Sequence, residues 1–182
     1  MQKVIGVVIG RFQLPNLHDG HKALINHVLA QSDKVCILVG VAAKTTLKDL
    51  LPYPVVEQMI RKEFHPVYAA GNLHIHPLLD IDGNDLQWSL YIDKFLGALY
   101  PHDTVQLWAG RDSYKPHYHG KFRPVKDWYG YNGEVNGTVV RGRIIEGNPI
   151  DCWQFRAGII YGLGNYLRSK DPAENEEINV QT

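Results

Sequence analysis

Short apolar runs alternate with segments of helical period along the first 110 residues. The runs are rich in Val and Ile and lack polar alternation, as in strands buried on both faces; they span residues 3–10, 34–41, 73–79 and 104–109. The segments between them place apolar residues three or four apart, as in amphipathic helices, over residues 21–31, 54–64 and 85–100. Parallel neighbours in a sheet need such crossovers. The pattern therefore predicts a doubly wound, Rossmann-like α/β fold with a parallel sheet.

This alternation ends after Gly110. Residues 121–147 contain several aromatic residues, two Asn-Gly pairs and a run over residues 138–145, which indicate a β-ribbon excursion. Helical spacing returns over residues 151–167, and the charged remainder lacks an apolar face. We expect one domain over residues 1–167, followed by a loosely held tail over residues 168–182.

Charge and composition narrow the range of partners. The chain has 19 basic and 19 acidic residues, so no global field favours a nucleic acid or an acidic membrane surface. No stretch approaches the roughly 18 to 20 apolar residues of a membrane span. Cys36 and Cys152 lie in apolar segments without CxxC spacing, which is typical of reduced, buried thiols. We expect a soluble, cytoplasmic protein that acts on small molecules.

Two histidines follow the first apolar run. That run ends in Gly10-Arg11-Phe12, and a short loop leads to His18-Asp19-Gly20-His21 at the start of the first helix. In open α/β sheets, ligands bind at the carboxyl ends of strands, where helix N-termini point N–H groups at them. Gly20 lets the backbone approach a phosphate, and both imidazoles can donate hydrogen bonds to a triphosphate. Most isolated histidine pairs are ordinary turn residues, but the position of this pair favours a phosphate cradle.

The two motifs, Gly10-Arg11-Phe12-Gln13 and His18-Asp19-Gly20-His21, resemble the signature of the HxGH nucleotidyltransferases. Within them the chain is most similar to the nicotinamide mononucleotide adenylyltransferases of archaeal type, over most of residues 1–160. The resemblance implies transfer of AMP from ATP to nicotinamide mononucleotide (NMN), giving NAD and pyrophosphate. The loop between the motifs, Leu14-Pro15-Asn16-Leu17, is two residues longer than in the family.

Two further motifs resemble those of the family. Asn84-Asp85-Leu86-Gln87-Trp88 resembles Asn-Asp-x-x-Trp, whose Trp stacks on the pyridine ring of the acceptor. An indole face against a cationic pyridinium contributes about 0.5 to 2 kcal/mol. Gly110-Arg111-Asp112 resembles the glycine turn that lines the nucleotide pocket. From the residues alone, Trp88 is equally explained as a core aromatic and the Gly110 motif as a plain turn.

The last motif of the family, Ile-Ser-x-Thr-x-(Ile or Val)-Arg, is only partly matched, over residues 150–156. Arg156 is kept, whereas Asp151 replaces the Ser and Trp153 replaces the Thr. An acid beside a triphosphate would repel it unless the acid caps the helix or meets the metal.

The resemblance implies the following roles. His18 and His21 would bind the triphosphate and the transition state, with Arg11 and Arg156 on the β and γ phosphates. Mg²⁺ would bridge phosphate oxygens and take most of its ligands from ATP and water. The nucleotide-binding residues would be Gly10, Phe12, Gly20, Asn84, Trp88, Gly110 and Asp112.

Other functions remain open at this point. The same cradle serves phosphopantetheine in related families, or takes CTP to activate phosphocholine or glycerol phosphate; Trp88 and Gln13 favour the nicotinamide acceptor. A nucleotide sensor without turnover would tolerate Asp151 and Trp153. A dinucleotide-dependent oxidoreductase fits the fold class but lacks GxGxxG after the first strand.

Two histidine pairs, His74/His76 and His117/His119, would each share one face if they lay on strands. Neither has a nearby Cys or carboxylate that completes a zinc site, so we expect no metal ligated by the protein alone. The sequence does not decide whether the chain forms a homo-oligomer.

Overall fold

The fold is seen in a computed structural model, which describes residues 2–14, 16–42, 51–81, 83–110 and 113–131. Within these ranges the strands are β1 (Val4–Gly10), β2 (Lys34–Val41), β3 (Leu73–Leu79), β4 (Thr104–Ala109) and β5 (Lys126–Asp127). The helices are α1 (Asp19–Gln31), α2 (Tyr53–Glu63), α3 (His65–Ala69) and α4 (Asp85–Leu99), with a 3-10 turn at Lys115–His117.

The five strands form one parallel sheet in the order β3-β2-β1-β4-β5. The central strand β1 pairs with β2 on one side and with β4 on the other, so that Val8 lies opposite both Ile37 and Trp108. The strand order reverses at β1, and ligands of open α/β sheets bind where the order reverses. The prediction of a doubly wound parallel sheet is confirmed.

Each face of the sheet has its own apolar core. One core contains Ile25 and Val28 of α1 with Val56 and Ile60 of α2. The other core contains Ile92 and Leu96 of α4. Each fully buried aliphatic side chain of this kind contributes about 1.5 to 3 kcal/mol. Because helices cover both faces, the strands are apolar at successive positions, as the sequence indicated.

Gly6 sets the close approach of α1 to β1. A Cβ at this position would lie 2.3 Å from Val28 Cγ1 and 2.4 Å from Ser32 Oγ. Contacts that short force one element to move. The missing side chain therefore lets α1 lie directly on the central strand, which places the N-terminus of α1 beside the carboxyl end of β1.

Most predicted boundaries agree with the structure within one or two residues. α1 begins at Asp19, two residues before the predicted start, because His18 caps it. α3 was not predicted; it has five residues and therefore too few turns to produce a helical pattern.

The predicted β-ribbon excursion is not confirmed. In the described part of residues 121–147, β5 pairs in parallel with β4 and so belongs to the main sheet. Three predicted segments lie outside the described residues: the rest of the predicted ribbon over residues 132–147, the helix predicted over residues 151–167 and the tail predicted over residues 168–182.

The sequence predicted that the chain has no membrane span and that both cysteines are buried. No helix among the described residues is long and apolar enough to cross a membrane. Cys36 is fully buried in β2, as expected, and this burial raises the pKa of its thiol to about 12. Cys152 lies outside the described residues.

Candidate active site

His18 is the N-cap of α1. Its backbone is extended, with φ −75° and ψ 162°, and its Nδ1 accepts the backbone N–H of His21 at 3.3 Å. This bond satisfies one of the free N–H groups of the first helical turn. An imidazole nitrogen that accepts carries no proton, so the remaining proton of a neutral ring lies on Nε2. The cap therefore fixes the tautomer of His18 as the Nε2–H form.

Burial reinforces this neutral form. It lowers the pKa of the His18 imidazole below the usual value, and the neighbouring carboxylate of Asp19 opposes the shift only in part. At neutral pH His18 is accordingly an uncharged hydrogen-bond donor. It stands at a helix N-terminus, where the backbone dipole already favours an anion.

The two motif histidines lie against each other. The rings of His18 and His21 stack with centroids 3.7 Å apart and an interplanar angle of 24°. The edge of the Phe12 ring contacts His21, with centroids 4.9 Å apart. His21 is thus held between two rings. The structure brings both predicted catalytic histidines together at the start of α1.

Phe12 has an unusual backbone conformation. Its φ is 50°, in the left-handed region, which costs a residue with a large side chain about 1 to 3 kcal/mol. The ring folds back over Gly10, where a Cβ would lie 3.1 Å from Phe12 Cε2 and Cζ. Phe12 is 4 % exposed, and its burial offsets the strain. Gly10 therefore makes room for the ring that supports His21.

Gly20 lies in a narrow gap between two side chains. A Cβ there would lie 3.0 Å from both Cε1 and Nδ1 of His18, and 3.0 Å from Cδ1 of Tyr131. Tyr131 follows β5 and lies against the first turn of α1. A larger residue here would push the His18 ring or Tyr131 away by a few tenths of an ångström, so packing favours glycine in addition to any approach of a ligand.

Arg11 extends across the carboxyl end of β2. Its Nη2 forms an ion pair with Oδ2 of Asp80, the residue that follows β3. A Cβ at Gly40 of β2 would lie 3.2 Å from Arg11 Cγ, so the Arg11 side chain passes directly over this glycine. The guanidinium is consequently placed on the β2–β3 side of β1, away from β4.

The start of α4 carries the proposed acceptor motif. Asn84 caps the helix, and its Oδ1 accepts the N–H of Gln87 at 2.9 Å. One turn on, Trp88 is half-buried and meets the ring of Tyr114 edge to face, with centroids 6.1 Å apart. The ring thus belongs partly to the α4 core and partly to the surface, which is compatible with either role considered for it.

Gln13 has a structural role that the sequence did not indicate. Its side-chain amide donates to the carbonyl of Leu51 at 3.1 Å and accepts the N–H of Leu51 at 2.7 Å. The residue is 6 % exposed. Gln13 therefore joins the loop after β1 to the segment before α2, and its amide is engaged there rather than turned to an acceptor.

The remaining predicted residues divide into two groups. Gly110 follows β4, and a Cβ there would make only an ordinary contact, 3.6 Å from Leu24 Cδ2, so packing does not demand glycine. Asp112 and Arg156 lie outside the described residues, as do Asp151 and Trp153.

Asp80 and Tyr131 contact residues of the site but were not predicted from the sequence. Asp80 could have been predicted, because it is a polar residue directly after a strand. No feature of the sequence indicated Tyr131.

The two other histidine pairs form no metal cluster. His74 contacts the hydroxyl of Tyr100 at 2.7 Å, and His76 packs against Phe95. His117 ends the 3-10 turn rather than lying on a strand, and its Nδ1 is 3.0 Å from Asp85 Oδ2. In the part of the chain that the structure describes, no three His, Cys, Asp or Glu side chains come together as metal ligands.

Comparison with known proteins gives one similar sequence and several similar structures. No family model matches the chain. It is 29 % identical over 152 residues to a nicotinamide-nucleotide adenylyltransferase of Thermococcus onnurineus, across 79 % of this chain and 74 % of that protein.

Two solved structures of a bifunctional NMN adenylyltransferase/ADP ribose pyrophosphatase from Francisella tularensis share the fold. The one in complex with AMP and a manganese ion has a TM-score of 0.64 at 21 % identity, over 98 % of this chain and 54 % of its own. The second has a TM-score of 0.63 at 22 % identity, over 92 % and 49 %. The chain thus spans about half the length of these two structures. The resemblance to nucleotidyltransferases of the NMN adenylyltransferase kind, inferred from the motifs, is confirmed.

Proposed function

We propose that this chain transfers AMP from ATP to nicotinamide mononucleotide, producing NAD and pyrophosphate. The observation that carries the proposal is the stacked pair His18 and His21 at the N-terminus of α1, where the strand order reverses. The similar protein of Thermococcus is named for this reaction, and the Francisella structures are named in part for it.

The reaction is a direct displacement at the α-phosphorus of ATP. An oxygen of the acceptor's phosphate forms the new bond to phosphorus, and the bond to the bridging oxygen of pyrophosphate breaks on the opposite side. No covalent enzyme intermediate is needed. Catalysis of this kind comes from positioning and from stabilisation of charge on the phosphate oxygens.

The residues at the start of α1 supply that stabilisation. His18 donates from Nε2 because its Nδ1 is occupied by the helix cap. His21, held between Phe12 and His18, offers the second imidazole. The N-terminal N–H groups of α1 add a fixed positive potential. Because the helix cap and the ring contacts hold these groups in place, little reorganisation is required in the transition state.

Other residues bind the two nucleotides. Arg11 and Arg156 supply positive charge to phosphates, and Gly10, Phe12, Gly20, Gly110 and Asp112 line the ATP pocket. Asn84 caps the N-terminus of α4. One turn later, Trp88 would stack its indole face on the pyridine ring of the acceptor. These assignments follow the motifs; Asp112 and Arg156 are assigned from the sequence alone, since they lie outside the described residues.

A divalent cation, Mg²⁺, completes the proposed site. It would be held chiefly by phosphate oxygens and water, as is usual for Mg²⁺ bound with a nucleotide. When bound, it would neutralise charge on the triphosphate. The proposed part of the protein is to hold that triphosphate at α1. We propose that the reaction takes place in the cytoplasm.

The test is an assay with ATP, Mg²⁺ and a panel of acceptors. NMN should give NAD and pyrophosphate in equal amounts. Nicotinate mononucleotide, phosphopantetheine and, with CTP, phosphocholine or glycerol phosphate serve as competing acceptors. Turnover of another acceptor with none of NMN would contradict the proposed substrate. Binding of ATP with no pyrophosphate from any acceptor would indicate a nucleotide sensor instead.

A further inference from the structure

The side chain of Gln13 is bonded to the main chain at three points. Besides its two bonds with Leu51, its Nε2 donates to the carbonyl of Arg11 at 3.4 Å, a longer and weaker bond. Both N–H groups of the amide and its carbonyl oxygen are thus engaged by backbone groups. A buried amide whose polar groups are all engaged holds its partners in one arrangement.

Leu51 is a firm anchor for this amide. Its side chain is 7 % exposed and belongs to the same apolar core as Phe12. Leu51 lies two residues before α2, and Val56 and Ile60 of that helix are fully buried in the same core. The amide therefore fastens the loop after β1 to a well-packed part of the molecule.

The two peptide groups that flank Phe12 are both hydrogen-bonded. The carbonyl before it, of Arg11, accepts the Gln13 amide, and its own carbonyl accepts the N–H of Leu14 at 2.9 Å. The φ and ψ angles of Phe12 set the relation between these two peptide groups, so these bonds hold its left-handed φ of 50°. Unfavourable backbone conformations persist only where the surrounding structure holds them in this way.

The Phe12 ring carries this constraint to the proposed catalytic site. With φ at 50°, the ring lies over Gly10, and its edge contacts the ring of His21. If Phe12 relaxed to a negative φ, its side chain would leave the backbone in another direction. The ring would then no longer lie against His21.

We propose that Gln13 is a positioning residue that acts through Phe12: its amide holds the left-handed turn whose ring places the His21 imidazole. The inference rests on the proposed adenylyl transfer, in which His21 stabilises charge in the transition state. The motifs connected Gln13 with the choice of acceptor, whereas its contacts connect it with turnover.

The primary test replaces Gln13 by Met and by Ala. Met keeps the length of the side chain and removes the amide, and Ala leaves room for a water molecule with three polar partners. In both variants, measured where they are folded, kcat should fall about ten- to a hundredfold, up to the scale for a misplacement of about 1 Å. KM for ATP and for NMN should stay within about threefold, because the loss concerns the transition state.

Two results of this test would overturn the inference. The first is a folded variant with normal kcat, or with raised KM and unchanged kcat. The second is failure of both variants to fold, which would assign Gln13 to the stability of the protein alone.

Gln106→Met is the matched control. Gln106 lies in β4, and its Nε2 donates to the carbonyls of Leu107 at 3.1 Å and Pro124 at 3.0 Å. It pairs with Gly6 of β1, four residues before the end of that strand, so it lies away from the HxGH motif. The control removes the same amide from the same kind of contact, and it should lower the melting temperature while kcat stays within about twofold. An equal loss of kcat in Gln106→Met would overturn the inference.

A double-mutant cycle tests whether Gln13 acts through Phe12. Glycine adopts a positive φ without strain and carries no ring, so Phe12→Gly removes both features on which the amide acts. In that background, Gln13→Met should change kcat by less than about twofold. An undiminished effect of Gln13→Met would overturn the inference.

Proton NMR of the His21 ring distinguishes this inference from the proposed function, because it needs no turnover. The His21 Cε1–H resonance is identified by its loss in His21→Ala, and its position depends on the neighbouring rings. Gln13→Met should shift this resonance, whereas Gln106→Met should leave it in place. A wild-type chain that binds ATP without forming NAD would refute the proposed function, while the resonance would still test Gln13. An unchanged resonance in folded Gln13 variants would refute the inference alone.

Discussion

The Nδ1 atom of His18 accepts the backbone N–H of His21, three residues on in the HxGH motif. One bond thereby joins the two histidines, caps α1 and leaves Nε2 of His18 as the protonated nitrogen. The spacing of the motif follows from this geometry, because the N-cap side chain bonds the N–H two or three residues on. The capping role of His18 and its proposed ligand-binding role can be separated by choosing different substitutions.

His18→Asn should keep the cap and lose the imidazole donor. Asn is among the best N-cap residues, so the melting temperature should stay close to that of wild type. His18→Ala should lose both roles and unfold about 0.5 to 2 kcal/mol more easily. Turnover should fall in both variants. Comparison of kcat with denaturant unfolding checks this, and an Asn variant with normal turnover would show that His18 only caps the helix.

His21→Ala should lower turnover by about two to three orders of magnitude, the scale for losing one preorganised donor to developing charge. The fold should persist, because His21 lies in the first turn of α1 and belongs to neither apolar core. His27→Ala is the control: it removes an α1 histidine packed on Trp108 and Trp128 and should affect stability more than kcat. If His21→Ala kept more than about a tenth of wild-type turnover, the catalytic assignment would fail.

Trp88→Ala should raise KM for the nicotinamide substrate and leave KM for ATP nearly unchanged, because stacking involves the pyridine ring alone. Trp88→Phe retains an aromatic face toward Tyr114 and should give an intermediate KM. Steady-state kinetics with each substrate varied in turn measures both effects. Should Trp88→Ala instead unfold at ordinary temperature with Phe behaving as wild type, Trp88 is a core residue.

The stability of the protein should fall as the pH drops below about 6.5, the usual pKa of a histidine. Burial lowers the pKa values of His18, His74 and His76 in the folded state. The unfolded chain therefore binds more protons than the folded chain below that pH, and protonation favours unfolding. Melting temperatures at pH 7.5 and 5.5 test this. The difference should shrink in His18→Asn, and an unchanged difference would remove His18 from the effect.

Local features of the site were predictable from the sequence, whereas contacts between distant segments were not. The apolar pattern indicated where the first strand ends and where the first helix starts. His18 and His21 lie in the few residues around that helix start, so their position could be predicted. Asn84 was likewise placed at a helix start by its neighbours. By contrast, Arg11 and Asp80 are 69 residues apart, and only the strand order brings them together.

Two other features could not be predicted for the same reason. The left-handed backbone of Phe12 depends on burial of its ring over Gly10, because the local preference of Phe opposes that conformation. The position of Tyr131 over Gly20 depends on β5 joining the sheet beside β4. A strand of two residues has no periodicity to reveal it.

Gly20→Ala tests the packing of the motif itself. At an open position in a helix, Ala would stabilise the protein, because Gly is about 1 kcal/mol less favourable. Here the new methyl group would lie 3.0 Å from the His18 ring and from Tyr131, so one of them must move. We expect kcat to fall by up to about a hundredfold, the scale for a misplacement of about 1 Å in a catalytic site, with no gain in melting temperature. Gly20→Ala combined with Tyr131→Ala relieves only one contact. If the His18 contact is the damaging one, this double variant stays as slow as Gly20→Ala; recovery of kcat would show that displacement of Tyr131 caused the loss.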